Sequence, residues 1–512
     1  MRLLSTKSLQ LEQFNDEERL PPYAILSHTW GEEEVTLDDL LREHVQTMIG
    51  YRKIEQTCRI AAQDGFGYVW IDTCCIDKSS SAELSEAINS MFRWYALSQK
   101  CYAYLEDLVW HEGQSSGVGS HQYGNAHSLQ RSRWFTRGWT LQELIAPSEV
   151  YFYDKYWTLT GTRTALADIL AKITSVDLEV LVNLDLYISR TQHLKVSLRE
   201  RSVAQRMSWA SKRKTTRPED LAYCLLGIFD IHMPLLYGEG IEKAFRRLQM
   251  EILRYSTDQS ILAWKLMNHA DTFAGVLASH PEDFGSCGRI AQIPIMEGPL
   301  TATNRAIEMH IRLVARGPGK SGAYYGLLAC HEEDDFFSCV AIPLKRINQD
   351  DFTESQTGRK AFTRQIFQDV EMIELESTTS SWEPISLVPI PYEPSLQMLY
   401  YQHSHFIINC TTIRSPGGRF IVAAVPEASW NSRTRTMQFR GIAIHKRHGA
   451  LALESGLMDG SFVFFGVAFG IGRTRSYVRL FDAPPEMKSQ PVPLTQEWLK
   501  ELIEMASETS YG

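Results

Sequence analysis

The sequence predicts an α/β fold in which an N-terminal parallel-sheet domain with a helical extension is followed by a β-rich C-terminal domain. Over the first 160 residues, short apolar runs alternate with segments of helical periodicity. Between about residues 161 and 265 the pattern becomes mainly helical, and beyond it short apolar runs are separated by Gly, Pro and polar turns. The predicted domain boundaries are therefore 1–160, 161–265 and 266–512.

Composition and charge exclude several classes of protein. The chain has 512 residues, 44% hydrophobic and 22% charged, as in folded soluble proteins. Its net charge of -9 gives no general attraction to nucleic acid or anionic membranes, so neither is expected as a partner. Nine cysteines without a repeated spacing favour reduced thiols, and no apolar run has a membrane-spanning length. We expect a cytoplasmic protein.

The first predicted elements form a strand, helix and strand. Tyr23 to His28 is an apolar run that comes directly after two prolines, which predicts a buried strand. Leu37 to Ala62 has helical periodicity with a break near Gly50. Tyr68 to Ile71 is the second strand. Parallel strands need a crossover of this kind between them.

The next elements repeat this alternation. Ser80 with Glu83 three residues later is typical of a capping box, and predicts a helix running toward Ala96. A third strand is predicted at Lys100 to Leu105. Trp134 to Ile145 is predicted as a loop that enters a helix. A fourth strand, Val150 to Tyr153, comes after Pro147, and the whole pattern indicates a parallel sheet with helices on its faces.

The rest of the chain divides into helices and then strands. Pro218 to Phe229 and Glu239 to Arg254 are predicted helices. The basic residues 212–214 with Arg217 could contact nucleic acid, but they are interpreted as a solvated loop between helices. Tyr324 to Cys330, Cys339 to Leu344 and Phe462 to Ala468 are among the predicted strands. The sequence has no repeat of 20 to 50 residues, which argues against a propeller or solenoid.

Three sequence blocks resemble a known family. They are YAILSHTWG at 23–31, the segment from VWIDTCCIDK to AYLED at 69–107, and SRWFTRGWTLQELIAP at 132–147. Together and in this order they resemble the fungal heterokaryon incompatibility (HET) domain, and residues 206–264 are similar to the segment C-terminal to that domain in many fungal proteins. The resemblance implies a cytoplasmic effector of vegetative incompatibility and programmed cell death.

The HET domain is in turn a distant relative of the TIR domain, a flavodoxin-like α/β fold in which some members cleave NAD. Gly138 to Leu144 (GWTLQEL) is similar to the segment that holds the catalytic glutamate of TIR NAD hydrolases, with Thr140 in place of a cysteine. The resemblance implies a flavodoxin/TIR-like domain, NAD as substrate and not as cofactor, and activity as a homo-oligomer. It also implies an incompatibility partner or sensor, which the sequence does not name.

A carboxylate beside the nicotinamide ribose would stabilise the oxocarbenium-like centre that forms when the glycosidic bond breaks. Glu143 is the candidate for this role, although a Trp and a Glu at helical spacing are more often a core anchor and a solvated or paired carboxylate. If its segment is helical, Trp139 lies one turn away on the same face and would stack on nicotinamide. Arg137, near the helix start, would meet a phosphate.

Polar residues lie at the ends of the first two predicted strands, where ligands of α/β sheets bind. Ser27, His28 and Trp30 end the first strand, and Asp72 and Asp77 come after the second. The aspartates would orient ribose hydroxyls, and His28 would position or relay a proton. Alternatively, the aspartates cap turns and Trp30 anchors a loop.

Two other functions remain open. A thiolate of Cys75 activated by His28 would make the protein a Cys-dependent hydrolase, although adjacent cysteines at a strand end are more often core residues. A non-enzymatic interaction module would use the same surface to recruit partners. No Cys-x-x-Cys pair is present, so no metal is expected.

Overall fold

Strands and helices alternate along the N-terminal region of the computed structural model. It describes residues 1–110, 127–182, 197–266 and 275–388, except 17–18, 41, 43, 294–299, 304–305, 317–321, 348–358, 366–369 and 376–380, together with the backbone of eight strands between 398 and 482. The chain forms two units. One contains Met1–Asn348 with Glu354–Ile390, and the other contains Gln349–Thr353 with Pro391–Gly512.

A seven-stranded sheet organises the N-terminal region, in the order β2-β1-β4-β3-β5-β6-β7. Its strands are β1 (Arg2–Ser5), β2 (Leu11–Gln13), β3 (Tyr23–His28), β4 (Tyr68–Trp70), β5 (Lys100–Tyr104), β6 (Val150–Tyr153) and β7 (Leu159–Thr162). The four central strands β4, β3, β5 and β6 run parallel, and the other pairings are antiparallel. All six residues of β3 are buried, as expected for a strand covered on both faces.

The helices before residue 182 connect or cover these strands. They are α1 (Leu37–Leu40), α2 (Tyr51–Gln63), α3 (Ser81–Leu97), α4 (Thr140–Ile145), α5 (Ala167–Thr174) and α6 (Leu178–Leu181). Further along the chain are α7 (Val203–Ser208), α8 (Asp220–Tyr223), α9 (Leu226–Phe229) and α10 (Ile241–Tyr255). A short 3₁₀ helix, Arg133–Thr136, precedes α4.

Two tyrosines attach α3 to the central strand. Tyr95 Oη donates to the carbonyl of Leu26 over 3.0 Å, and Tyr23 Oη donates from β3 to the carbonyl of Trp94 over 2.5 Å. Trp70 of β4 packs edge-on against the rings of Trp94 and Tyr95. The aromatic side chains therefore hold α3 in a fixed position behind the carboxyl end of β3.

The rest of the first unit is rich in β structure. Its strands are β8 (Ile290–Gln292), β9 (Thr301–Ala302), β10 (Ile307–Ala315), β11 (Ala323–Leu327), β12 (Cys330–Glu332), β13 (Ser338–Arg346), β14 (Lys360–Arg364), β15 (Glu371–Glu374) and β16 (Trp382–Val388). β8 pairs with β12, and the others form a second seven-stranded sheet. Arg364 connects this sheet to the helical segment, because its guanidinium donates to the carbonyls of Leu262 and Trp264.

The second unit contains two four-stranded antiparallel sheets, in the orders β17-β18-β21-β20 and β19-β22-β23-β24. Their strands are β17 (Met398–Tyr401), β18 (His405–Asn409), β19 (Arg419–Val425), β20 (Trp430–Asn431), β21 (Thr436–Arg440), β22 (His448–Gly456), β23 (Phe462–Ile471) and β24 (Ser476–Asp482).

The structure confirms a mixed α/β N-terminal region with a parallel-containing sheet and a β-rich C-terminal region. It differs from the sequence prediction in several elements. The β1–β2 hairpin and β7 were not predicted, since each is only three or four residues long. The predicted helix Pro218 to Phe229 is split into α8 and α9, and α9 packs so closely on Phe92 that a Cβ on Gly227 would lie 2.1 Å from the phenylalanine Cβ.

The described cysteines are all buried and free of disulfides: Cys58, Cys74, Cys75, Cys101, Cys224, Cys287, Cys330 and Cys339. Burial raises the pKa of the Cys58 thiol to about 12 and that of the Cys287 thiol to about 11. In the part of the chain that the structure describes, no helix is both long and apolar enough to cross a membrane.

Candidate functional site

The candidate site lies at the carboxyl end of the parallel sheet. From β3 the chain crosses to β4 on one side and then returns to β5 on the other, so β3 and β5 flank the point where the strand order reverses. Ligands of open α/β sheets bind outside the carboxyl ends of the strands at such a point. Ser27 and His28 occupy this end of β3.

Glu143 in α4 is joined to the end of β3 by a chain of hydrogen bonds. The Ser27 hydroxyl donates to Glu143 Oε2 and accepts from the indole Nε1 of Trp134 over 2.8 Å. Ser27 and Trp134 are both fully buried. The first and third sequence blocks therefore meet at this carboxyl group.

Glu143 is only 7% exposed, and burial raises the pKa of its carboxyl group to about 8. The hydrogen bond from Ser27 lowers this pKa, the charge of Asp72 raises it, and the guanidinium of Arg137 lowers it. The group is therefore mostly protonated at neutral pH. An added positive charge nearby would favour its ionised form.

His28 is buried between two carboxylates. Its Nε2 lies 3.7 Å from Glu34 Oε2, and its Nδ1 lies 3.8 Å from Asp72 Oδ1. These distances exceed hydrogen-bonding length, and neither ring nitrogen has a hydrogen-bond partner among the described residues. The imidazole is therefore buried beside two carboxylates without a hydrogen bond to either of them.

Glu34 and Lys53 complete this charged cluster, although neither was among the residues predicted from the sequence. Glu34 Oε1 accepts from Lys53 Nζ over 2.5 Å and from the backbone nitrogen of Gly31 over 2.6 Å. Burial opposes ionisation of Glu34, but the contacts with His28, Lys53 and Gly31 together hold its pKa far below the usual range. No motif signals this pair, since 19 residues separate the partners.

Trp30 forms an exposed aromatic surface beside the cluster. Its Nε1 donates to Asp72 Oδ2 over 2.8 Å, and the Lys78 ammonium lies 3.5 Å from the centre of the indole. Burial lowers the pKa of Lys78, while the charge of Asp72 raises it. Trp30 is nevertheless 42% exposed. Asp72 therefore lies between Trp30 and His28, so the fold places these three predicted residues next to one another.

Asp77 lies in a turn after β4. Its Oδ1 accepts from both the backbone nitrogen and the hydroxyl of Ser79, over 2.9 and 2.6 Å. These bonds lower its pKa. Its own backbone nitrogen donates to Glu83 Oε1 over 2.8 Å. This is the turn-capping geometry that the sequence left open as an alternative to substrate contact.

Trp139 and Arg137 lie just before α4. Trp139 Nε1 donates to Asp220 Oδ2 over 3.2 Å, so the indole is tied to α8. Arg137 is half-buried, and its charge acts on Glu143. In the described part of the chain, its guanidinium makes no ion pair.

Cys75 belongs to the core beside β4. Its sulfur accepts a hydrogen bond from the backbone nitrogen of Ile71 over 3.4 Å, and the residue is 3% exposed. Since neither nitrogen of His28 has a hydrogen-bond partner among the described residues, the two side chains do not form a nucleophile and base pair in this structure.

Two buried arginines fix α4 at its ends. At the C-terminal end of α4, Arg163 donates to the carbonyls of Leu144 and Pro147 over 2.9 and 3.0 Å. At its start, Arg213 donates to the carbonyl of Arg137 and to Thr140 Oγ1 over 2.8 and 3.0 Å. The interpretation of residues 212–214 as a solvated loop is therefore wrong for Arg213, which is 4% exposed because it satisfies these polar atoms.

The acidic side chains around His28 have other partners among the described residues. Across the described ranges, no three His, Cys, Asp or Glu side chains are grouped so that they could hold a metal ion. The carboxylates of Glu34 and Asp72 contact Lys53 and Trp30 instead.

Known proteins share this N-terminal region. Residues 23–122 match the family described as Heterokaryon incompatibility protein (HET), and residues 243–274 match a Domain of unknown function (DUF8212). Residues 23–122 are therefore similar to the HET domain. Over 236 residues the chain is 47% identical to Vegetative incompatibility protein HET-E-1 of Podospora anserina, a match that covers 46% of this chain and 16% of that relative. No solved structure matches the chain.

Proposed function

We propose that this protein acts in heterokaryon incompatibility as an effector of programmed cell death, and that its HET domain cleaves the bond between nicotinamide and ribose in NAD. The 47% identity to a vegetative incompatibility protein supports the biological role. The observation that supports NAD cleavage is the hydrogen bond from Ser27 to the Glu143 carboxyl group, at the carboxyl end of the central strand.

The strand order supports a flavodoxin-like, and hence TIR-like, relationship. Numbered along the chain, the four parallel strands have the order 2-1-3-4, which is shared with the flavodoxin-like sheet. The fifth position is occupied here by the antiparallel β7. In this fold the ligand binds beside the first strand, where Ser27 and His28 lie.

The reaction would proceed through bond cleavage and capture by water. The C1′–N bond breaks and its electron pair leaves with the nicotinamide nitrogen, which makes nicotinamide neutral. Ionised Glu143 stabilises the positive ribosyl centre, water adds to it, and one proton is released. The cationic nicotinamide of NAD would itself lower the pKa of Glu143, so substrate binding favours the required carboxylate.

The other side chains have roles around this step. Trp30 offers an exposed ring for stacking, and Asp72 carries an oxygen beside His28 that suits a ribose hydroxyl. His28 would hold or relay the proton from water. We propose clustering of several copies as the activating event.

The second candidate is an interaction module without enzymatic activity. The burial of Glu143 favours this second candidate. A glutamate that is only 7% exposed is also typical of a residue whose hydrogen bonds serve the structure alone. In that case the exposed Trp30 would contribute to a surface for a partner.

Full-length protein, alone and clustered through a fused oligomerising tag, would be assayed for NAD loss and nicotinamide release. We expect Glu143→Gln to abolish the reaction, while Cys75→Ser and the exposed control Glu86→Gln retain it. Clustered protein that leaves NAD intact while still killing fungal cells would establish the interaction module. Loss with Cys75→Ser alone would point to thiol chemistry.

A further inference from the structure

The start of α4 is held from outside the N-terminal sheet, by residues 209–220. The backbone of Lys214 bonds twice across the chain: its nitrogen donates to Thr136 O over 2.7 Å, and its carbonyl accepts from Gly138 N over 2.9 Å. A Cβ on Gly138 would lie 2.5 Å from Thr215 Cγ2, so any larger residue here would displace Thr215. The segment that leads into α4 is thus pressed against residues 214–215.

The Arg213 side chain completes this attachment in the interior. Its Nη1 donates to Arg137 O and Thr140 Oγ1, and its Nε donates to Trp209 O over 3.2 Å. Thr140 Oγ1 also donates to Arg137 O over 2.9 Å. One guanidinium therefore fixes both the segment that precedes α4 and the first residue of the helix. Glu143 comes three residues after Thr140, so it lies one turn further along α4.

Burying a guanidinium is costly unless its hydrogen bonds are satisfied, so a buried arginine at this place demands a compensating role. Arg213 Nη2 has no hydrogen-bond partner within the described part of the chain. Arg213 is therefore buried without all of its donors being paired, and the hydrogen bonds that it does make hold the start of α4 in place.

We propose that Arg213 is a positioning residue for Glu143, and that residues 209–220 belong to the same functional unit as the HET domain. This rests on Glu143 being the functional carboxyl group of the proposed function. The family match ends at residue 122, so it includes neither Glu143 nor the residues that hold its helix. The segment matched by the family would not be sufficient for activity.

The test uses the full chain with Arg213→Lys, Arg213→Met and Thr140→Val, and the adjacent exposed Lys212→Met as the matched control. Infrared difference spectroscopy against Glu143→Gln monitors the carboxylic-acid band of Glu143 as the pH is raised. We expect both Arg213 variants and Thr140→Val to shift the midpoint of this titration by about one pH unit or more. Lys212→Met should leave the midpoint unchanged, and Arg213→Lys should shift it less than Arg213→Met does.

If Arg213→Met does not fold, Arg213→Lys and Thr140→Val carry the test. A wild-type Glu143 midpoint in both of these variants, even with lower thermal stability, would overturn the proposal and leave Arg213 a purely structural residue. The readout does not depend on NAD cleavage. A shifted midpoint in a protein that leaves NAD intact would support the positioning role and reject the proposed enzymatic function.

Discussion

The hydroxyl of Ser27 donates a hydrogen bond to the carboxyl group of Glu143, 116 residues further along the chain. Ser27 lies at the end of the central strand of the sheet, whereas Glu143 lies in the short helix α4. The same hydroxyl accepts from Trp134. Ser27 thus connects two distant sequence blocks through the one carboxyl group that the proposed chemistry requires, and its environment controls when that group ionises.

The pH dependence of stability should reveal Glu143. Its folded-state pKa of about 8 lies above the unfolded value, so its contribution is fully present below about pH 4.3 and is lost as the pH rises to 8. Wild-type protein should therefore lose a few kcal/mol relative to Glu143→Gln between pH 5 and 8. Urea unfolding of both proteins at several pH values measures this. Parallel stability curves would rule out the raised pKa.

Ser27→Ala should destabilise the protein by about 2 kcal/mol, because it leaves the buried Trp134 nitrogen without an acceptor. It should also raise the pKa of Glu143 further, since the hydrogen bond from Ser27 favours the charged form. The exposed Ser8→Ala is the control and should change stability by less than about 0.5 kcal/mol. Equal unfolding midpoints for the two variants would contradict the hydrogen-bond chain.

Arg163→Met should cost about 3 kcal/mol of stability, because the end of α4 loses a charged donor to several buried carbonyls. Arg163→Lys should recover part of the loss, since an ammonium group can still bond one or two of these oxygens. The exposed Arg59→Met serves as the control for losing an arginine. Chemical denaturation compares the three variants, and a cost equal to that of Arg59→Met would argue against the role of Arg163.

Glu34 should make the protein sensitive to acid. Its folded-state pKa is depressed, so its stabilising contribution is present above about pH 4.3 and is lost as the pH falls further. Between pH 6 and 3, Glu34→Gln should therefore lose less stability than wild type does, by an amount on the order of 1 kcal/mol or more. The same acid sensitivity in both proteins would show that the cluster with His28 and Lys53 is not maintained in solution.

The local elements of the sheet were predictable because each has a local signal. The apolar run Tyr23 to His28 coincides with β3, and the Ser80 hydroxyl caps α3 by accepting from Glu83 N over 3.3 Å, as its sequence indicates. The expected return bond of that capping box is replaced, since Glu83 accepts from the backbone of Asp77 and pairs with Arg2. Competition from a residue distant in sequence decides such details.

Other parts of the site were predictable only in part. Ser27, His28, Trp30 and Asp72 were expected at one edge of the sheet because strand ends in a parallel sheet converge there. The partnership of Glu34 with Lys53 carries no periodic or motif signal. Arg213 was misinterpreted because a basic run is usually solvated, whereas here backbone carbonyls at a helix start attract the guanidinium into the interior.

The buried thiols of the first unit provide built-in reporters of local opening. Cys101 lies in β5, Cys224 lies just after α8 and Cys339 lies in β13, so a thiol reagent can react at each position only when that element opens. Comparing their labelling rates would show whether α8, which binds Trp139, opens before the parallel sheet or together with it. The order of those events would distinguish local opening of α8 from global unfolding, without introducing a probe into the chain.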